Sequence, residues 1–168
     1  LSPASGNVLG KFAVPGLFRP EAGLAEDHVE MRNPPTALGV GLIETISDEV
    51  ILANADPDDA DGDGIYGVAN IVEGGRVGRF GWKAQVPSVR EFIRDAGTAD
   101  LGLTLPVDEG QTYGVTQDED AFPDPELSME DVDALEFWLR ELAPHAPQRA
   151  LEPAGRQVFE SVGCASCH

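Results

Sequence analysis

A chain of 168 residues has room for one domain, or for one domain and the start of another, and 42% hydrophobic residues suit a packed core. Its formal charge of −19 argues against nucleic acid or an anionic membrane surface as partner, and fits a solvated surface or a basic partner. No apolar run approaches the roughly 20 residues that cross a bilayer. The only two cysteines lie near the C-terminus, so no disulfide framework holds the rest. With 19 glycines and 13 prolines, the chain should fold as short elements joined by long structured loops. It begins at Leu1 and stops at His168; both ends read as cut from a longer protein, so a missing leader carries no weight.

In chain order, residues 1–33 read as loop, punctuated by Pro3, Pro15, Gly16, Pro20 and Gly23. The apolar stretch from Pro35 to Ile46 predicts a short buried helix. Ser47-Asp48-Glu49 reads as an N-cap with acids at the positive end of a helix running to about Asn54. Ser88 with Glu91 three residues later matches a capping box for a helix to Ala96, with Gly97 as its C-terminal stop. Residues 98–127 lack periodicity. Ser128 opens the clearest helix, where Val132, Leu135, Trp138, Leu139 and Leu142 share one face until Pro144 ends it. Residues 144–153 read as a linker, 154–162 as a last amphipathic helix, and no strand pair is evident.

Between the first two helices and the third, Asp59-Ala60-Asp61-Gly62-Asp63-Gly64 places carboxylates at alternating positions and a glycine at the sixth. This is the first half of a calcium loop, in which oxygens converge on one point and glycine makes the turn. The twelfth position, where an EF-hand has a bidentate glutamate, is Asn70. The pattern therefore fits a shorter calcium loop or a solvated acidic turn.

The chain ends in Cys164-Ala165-Ser166-Cys167-His168. In a Cys-x-x-Cys-His motif two thiols one turn apart add to the haem vinyl groups, and the histidine becomes an axial iron ligand. Gly155, Phe159 and Gly163-Cys164 are spaced as in the first helix of cytochrome c domains, which this segment resembles. A thioredoxin-like pair would follow a strand, and a zinc site would need two more soft ligands. Covalent haem c at Cys164 and Cys167, with His168 on iron, is the expectation.

Upstream segments extend the resemblance. Met31-Arg32-Asn33-Pro34-Pro35-Thr36, Gly78-Arg79-Phe80-Gly81-Trp82-Lys83-Ala84, Pro87-Ser88-Val89-Arg90-Glu91-Phe92 and Asp100-Leu101-Gly102-Leu103-Thr104 stand in the order found in bacterial di-haem cytochrome c peroxidases. With Gly41–Ser47 and Ala55–Gly67 added, the chain from about residue 30 is similar to the di-haem oxidoreductase, putative peroxidase branch, also called thiol oxidoreductases. The resemblance implies a mostly α, loop-rich fragment of cytochrome c-like domains. Residues 1–143 would be the distal part of a first, peroxidase-type domain, 144–153 the linker and 154–168 the start of a second haem domain. It also implies a periplasmic or secreted location, and a redox partner protein or small electron donor.

The same resemblance suggests roles. Trp82 would stand between two haems and help electrons pass, the alternative being a packed core tryptophan. Asp100 would be the base of peroxide reduction, taking a proton and returning it to the leaving oxygen, or else would cap a turn. Two residues must be deleted to align it with the peroxidase glutamate, and Phe92 stands where the peroxidases carry glutamine. Asn33 would bind an interdomain calcium beside the loop of Asp59, Asp61 and Asp63. His28 and Met31 are candidate sixth ligands, His28 otherwise an exposed loop residue, as His145 is expected to be. Arg79 and Lys83 would neutralise haem propionates or pair with surface acids. Two functions outside peroxidase chemistry stay open: a non-enzymatic electron carrier with a calcium-braced accessory domain, and a structural calcium module. Thiol chemistry has no support, because both cysteines are committed to haem.

Overall fold

The computed structural model of the protein describes residues 34–146 and 152–167. His28, Met31, Asn33 and His168 lie outside the described residues. The fold is mostly α and rich in loops: α1 (Val40–Glu44), α2 (Asp48–Ala53), β1 (Ile71–Val72), β2 (Arg76–Val77), α3 (Val89–Ala99), α4 (Met129–Glu141) and α5 (Glu152–Ser161). No helix of the described residues is long and apolar enough to cross a membrane.

Helices α1, α3 and α4 pack on one another around a small core of Phe80, Val86, Val89, Ile93, Leu105 and Val132. α3 supplies the central surface because Val89, Ile93 and Gly97 recur at helical spacing and are buried together. Gly97 does not stop this helix as expected. It lies inside it, where an added Cβ would stand 3.4 Å from Leu105, and the helix runs on to Ala99. At the other end Ser88 Oγ accepts from the Glu91 backbone N–H, as the capping pattern predicts. α4 has the full capping box, Ser128 with Asp131, and ends before Pro144.

Two expectations about burial fail for the same reason, that the core is small. α1 is only five residues long, and Leu42 and Ile43 are exposed. Val40 packs partly against the core, and Gly41 lies so close to α4 that an added Cβ would meet the Arg140 carbonyl oxygen at 2.3 Å. On α4, Val132 is buried and Leu139 touches the core, but Leu135 and Trp138 remain exposed, as does Phe137. A strand pair the sequence did not announce joins β1 to β2 antiparallel, Ile71 opposite Val77, across a turn whose Gly74 and Gly75 both have positive φ. Two-residue strands leave no period to detect.

Polar contacts join the elements. Glu44 of α1 accepts from Arg140 Nε of α4 at 2.6 Å and from the Val89 N–H that opens α3 at 2.9 Å. Arg90 of α3 reaches Asp133 and Glu136 of α4 and Asp108 of the following loop. Glu91 is completely buried. Its carboxylate accepts two bonds from Arg76 of β2 (2.7 and 3.0 Å), the Thr112 N–H and hydroxyl (3.1 and 2.8 Å) and the Ser88 hydroxyl (3.0 Å). Burial works to raise its pKa, but Arg76, Thr112 and Ser88 outweigh burial and hold it below the ordinary 4.5.

Glu91→Gln keeps the shape and removes the charge, leaving the Arg76 guanidinium without its counter-ion. Breaking such a pair costs about 3–5 kcal/mol when both partners are buried, and roughly 2–3 kcal/mol here because Arg76 is partly in water. Because the folded-state pKa of Glu91 is lowered, its contribution is present above 4.5 and is lost as pH falls through the folded value. Urea unfolding at pH 7 should show the deficit, and the gap between variant and parent should narrow on acidification below 4.5. A gap that is constant with pH would contradict this account.

Candidate functional site

The segment Gly78–Ala84 forms a loop closed by Phe80 and Val86, which exchange backbone hydrogen bonds of 2.8 and 2.9 Å. Each residue of the motif has a physical task there. Gly78 admits the Ala84 carbonyl oxygen, which an added Cβ would meet at 1.9 Å. Phe80 enters the core and lies against Phe92, ring centroids 6.1 Å apart. Arg79 is turned inward to the Glu44 and Ile46 carbonyls and the Asp48 carboxylate. It is thus held by α1 and α2 rather than offered to a propionate. Gly81 has φ 74, and Lys83 and Ala84 follow in left-handed conformations at φ 58 and 51. Two successive non-glycine residues there store strain, about 1 kcal/mol or more each.

What this turn presents is Trp82, 48% exposed. The core reading of Trp82 is thereby removed: the ring stands on the surface, on a turn fixed beneath it. Asn70 donates to the Lys83 carbonyl at 3.1 Å, and Tyr113 Oη donates to the Gln85 carbonyl, so the turn is tied from two sides.

Asp100 is the C-cap of α3, its N–H bonded to the Ala96 carbonyl. Burial and then the charge of Asp95 raise its pKa above the ordinary 3.8. A carboxylate at the negative end of a helix is disfavoured in the same sense. The side chain thus holds a proton more readily than a free aspartate, a property a proton carrier needs. A recess of about 350 Å³ lies nearby, lined by Thr98, Leu103, Thr104 and Val115, but neither Asp100 nor Trp82 lines it. Both face open surface.

In the acidic loop, one carboxylate oxygen each from Asp56, Asp59 and Asp61 lies within 4.8 Å of the others. That separation suits oxygens around one calcium ion at about 2.4 Å. Asp56 joins this group although the alternating pattern did not name it. Asp63 is not in this group; its Oδ1 accepts from the Ile65 N–H at 2.8 Å. The loop is shaped by further bonds of this kind, from Gly64 to Asp59 and from Asp63 to Asp61, and by left-handed Gly62 and Gly64. Asp118, Asp120 and Glu126 make a second grouping of the same size. Each accepts from backbone, at Asp120, Phe122 and Thr104, just as Asp56, Asp59 and Asp61 do at Ala60, Gly64 and Asp63.

In the C-terminal segment α5 leads into a short 3₁₀ turn, Cys164–Ser166, through Gly163 at φ 83. Cys167 N–H bonds the Cys164 carbonyl at 3.2 Å, so the two cysteines are one turn apart. Both are exposed and not joined in a disulfide. Two free thiols in this register fit attachment to the two vinyl groups of haem. Val158, Phe159 and Val162, all exposed, give the approach to the turn an apolar surface. His145 is exposed, as expected.

The sequence model of the family described as "Di-haem oxidoreductase, putative peroxidase" matches residues 21–168. No curated protein and no solved structure matches the chain.

The left-handed turn supplies a direct test. Ala84→Gly removes the Cβ penalty at φ 51 and should stabilise the protein by about 0.5–1 kcal/mol, read as a raised urea midpoint. A lowered midpoint would mean that the turn is not held in this conformation.

Proposed function

The chain belongs to the di-haem oxidoreductase family, and from that premise we propose that it carries covalent haem c on Cys164 and Cys167, with His168 as an iron ligand, in a protein that passes electrons from a donor to peroxide. The observation that carries the proposal is the pair of exposed thiols one turn apart at the end of α5. Residues 1–143 would belong to a first cytochrome c-like domain, 144–153 to the linker and 154–168 to the start of a second. Covalent haem, as proposed, would put the protein in the periplasm or outside the cell. The formal net charge of −19 would suit a basic electron donor.

Haem, when bound, supplies an iron that takes up oxygen ligands and electrons. Reduction of one peroxide consumes two electrons and two protons and leaves two waters. Asp100, with its raised proton affinity, is the group proposed to take the proton from one peroxide oxygen and return it to the other as the O–O bond breaks. Trp82, exposed on its braced turn, is proposed to face the second haem domain and to shorten the path for electrons. Asp56, Asp59 and Asp61 are proposed to hold calcium and fix the loop between α2 and β1.

One observation favours the rival reading, a non-enzymatic electron carrier. Phe92, where the peroxidases have glutamine, is packed against Phe80 and offers peroxide no hydrogen bond.

Peroxide turnover by the full-length protein separates the two. Asp100→Asn should lower turnover by about 10²–10⁴-fold with the haem spectrum unchanged, the range for loss of a positioned acid–base group. Wild-type turnover no faster than that of free haem, or an Asn variant as active as the parent, would leave the carrier.

Calcium should raise the melting temperature of the parent, by the equivalent of about 2.7 kcal/mol at a concentration 100 times its dissociation constant. The response should vanish in Asp59→Asn/Asp61→Asn. A parent indifferent to calcium would remove the metal from the proposal.

A further inference from the structure

One side of α4 is apolar and acidic at once. Leu135, Phe137 and Trp138 stand exposed on this helix. Leu135 and Trp138 are three residues apart and so share a side, and Glu141 follows Trp138 by the same spacing. Glu130, Phe137 and Glu141 recur at intervals of seven and four, which brings an exposed acid to either end of the aromatic pair. Among the described residues neither Glu130 nor Glu141 forms an ion pair. The single cation of α4, Arg140, is committed to Glu44 and Glu136. Aromatic surface of this kind is unfavourable in water, and the charge beside it has no balance of its own.

The chain holds a segment of the opposite character. Residues 1–20, outside the described residues, carry two of its 11 cations, Lys11 and Arg19, and none of its 30 acids. Leu9, Phe12, Val14, Leu17 and Phe18 give the same segment apolar surface. The route to α4 is short. Pro34 opens the described chain, and a few residues on, the Gly39 N–H donates to the Leu142 carbonyl at the end of α4 at 2.7 Å. An added Cβ on Gly39 would stand 3.2 Å from Pro144. α4 has 13 residues and spans about 20 Å. Residues 21–33 can stretch over about 45 Å, so the segment reaches any point along the helix.

We propose that residues 1–20 of this chain cover the exposed face of α4, with their apolar side chains on Phe137 and Trp138 and with Lys11 and Arg19 against Glu130 and Glu141. Such a cover does not depend on the peroxide reading. It would brace the helix that runs directly into the proposed linker, and so the point from which the cysteine segment departs. Other occupants fit less well. A second copy joined about a two-fold axis would set a patch of one sign against itself. α5 brings acids of its own, Glu152 and Glu160, and its apolar residues lead towards the thiols.

Hydroxyl-radical footprinting of the full-length protein provides the test, because Phe137 has an internal standard in Phe122, exposed to the same 69%. Phe137 should be oxidised several-fold more slowly than Phe122. Lys11→Glu/Arg19→Glu should bring the two rates together, and adding Glu130→Lys/Glu141→Lys to that variant should restore the difference. Lys11→Gln/Arg19→Gln only removes the charge; it should move Phe137 the same way by less, and serves if the reversed variants do not fold. Equal rates in the parent would show an open face and overturn the proposal. So would a slow Phe137 rate that no change at Lys11 or Arg19 alters, since another segment, a partner or a second copy would then hold the face. A second copy is recognised by a rate that falls as protein concentration rises. Loss of protection that the exchanged charges do not restore overturns it too, because Lys11 and Arg19 would then act elsewhere.

Discussion

The buried carboxylate of Glu91 is the interaction on which the rest of the molecule depends. An ionised acid out of water is costly unless its oxygens are satisfied, and here Arg76, Thr112 and Ser88 satisfy them from three separate segments. The β1–β2 hairpin, the start of α3 and the loop after α3 are joined at one point as a result. Arg94, one helical turn further along α3, takes up the Pro106 and Tyr113 carbonyls and holds the same loop a second time. Tyr113 then reaches the Gln85 carbonyl, and through it the base of the Trp82 turn. A domain with so few buried apolar side chains uses these ion pairs and glycine contacts to do what a larger core does elsewhere.

The residues proposed for function stand at the edge of this frame. Trp82 sits on a strained turn that Gly78, Asn70 and Tyr113 hold from below. Asp100 ends the helix whose start is fixed by Glu91. Neither lies in an enclosed cavity, an arrangement suited to residues that work against a cofactor or a second domain rather than around a small molecule alone. The cost is paid in strain at Lys83 and Ala84, where the backbone departs from what their side chains prefer.

Much of this was legible in the sequence where local rules decide the outcome. Ser88 and Ser128 start their helices because a hydroxyl three residues ahead of an amide caps it whatever the tertiary context. The Cys164–Cys167 spacing and the Gly78–Ala84 motif carried the family, which the match over residues 21–168 bears out. What escaped depends on long-range packing. Gly97 looked like a stop and is a contact with Leu105, and the α4 stripe is split by how little surface lies opposite it. Asp56 joined the acidic loop through the folded path of the chain. Trp82 was identified as a residue of interest, but whether it lay in the core or on the surface was decided by two left-handed residues that no periodicity reveals.

Covalent haem on the C-terminal thiols, in a protein that holds two haems, is the claim that unites the motif, the exposed cysteine turn and the family. A pyridine haemochrome spectrum of the full-length protein, expressed with haem-attachment machinery, tests it most directly. The account predicts two covalent haems per chain, falling to one in Cys164→Ser/Cys167→Ser. A single haem in the parent, or a count unchanged by loss of both thiols, would contradict it.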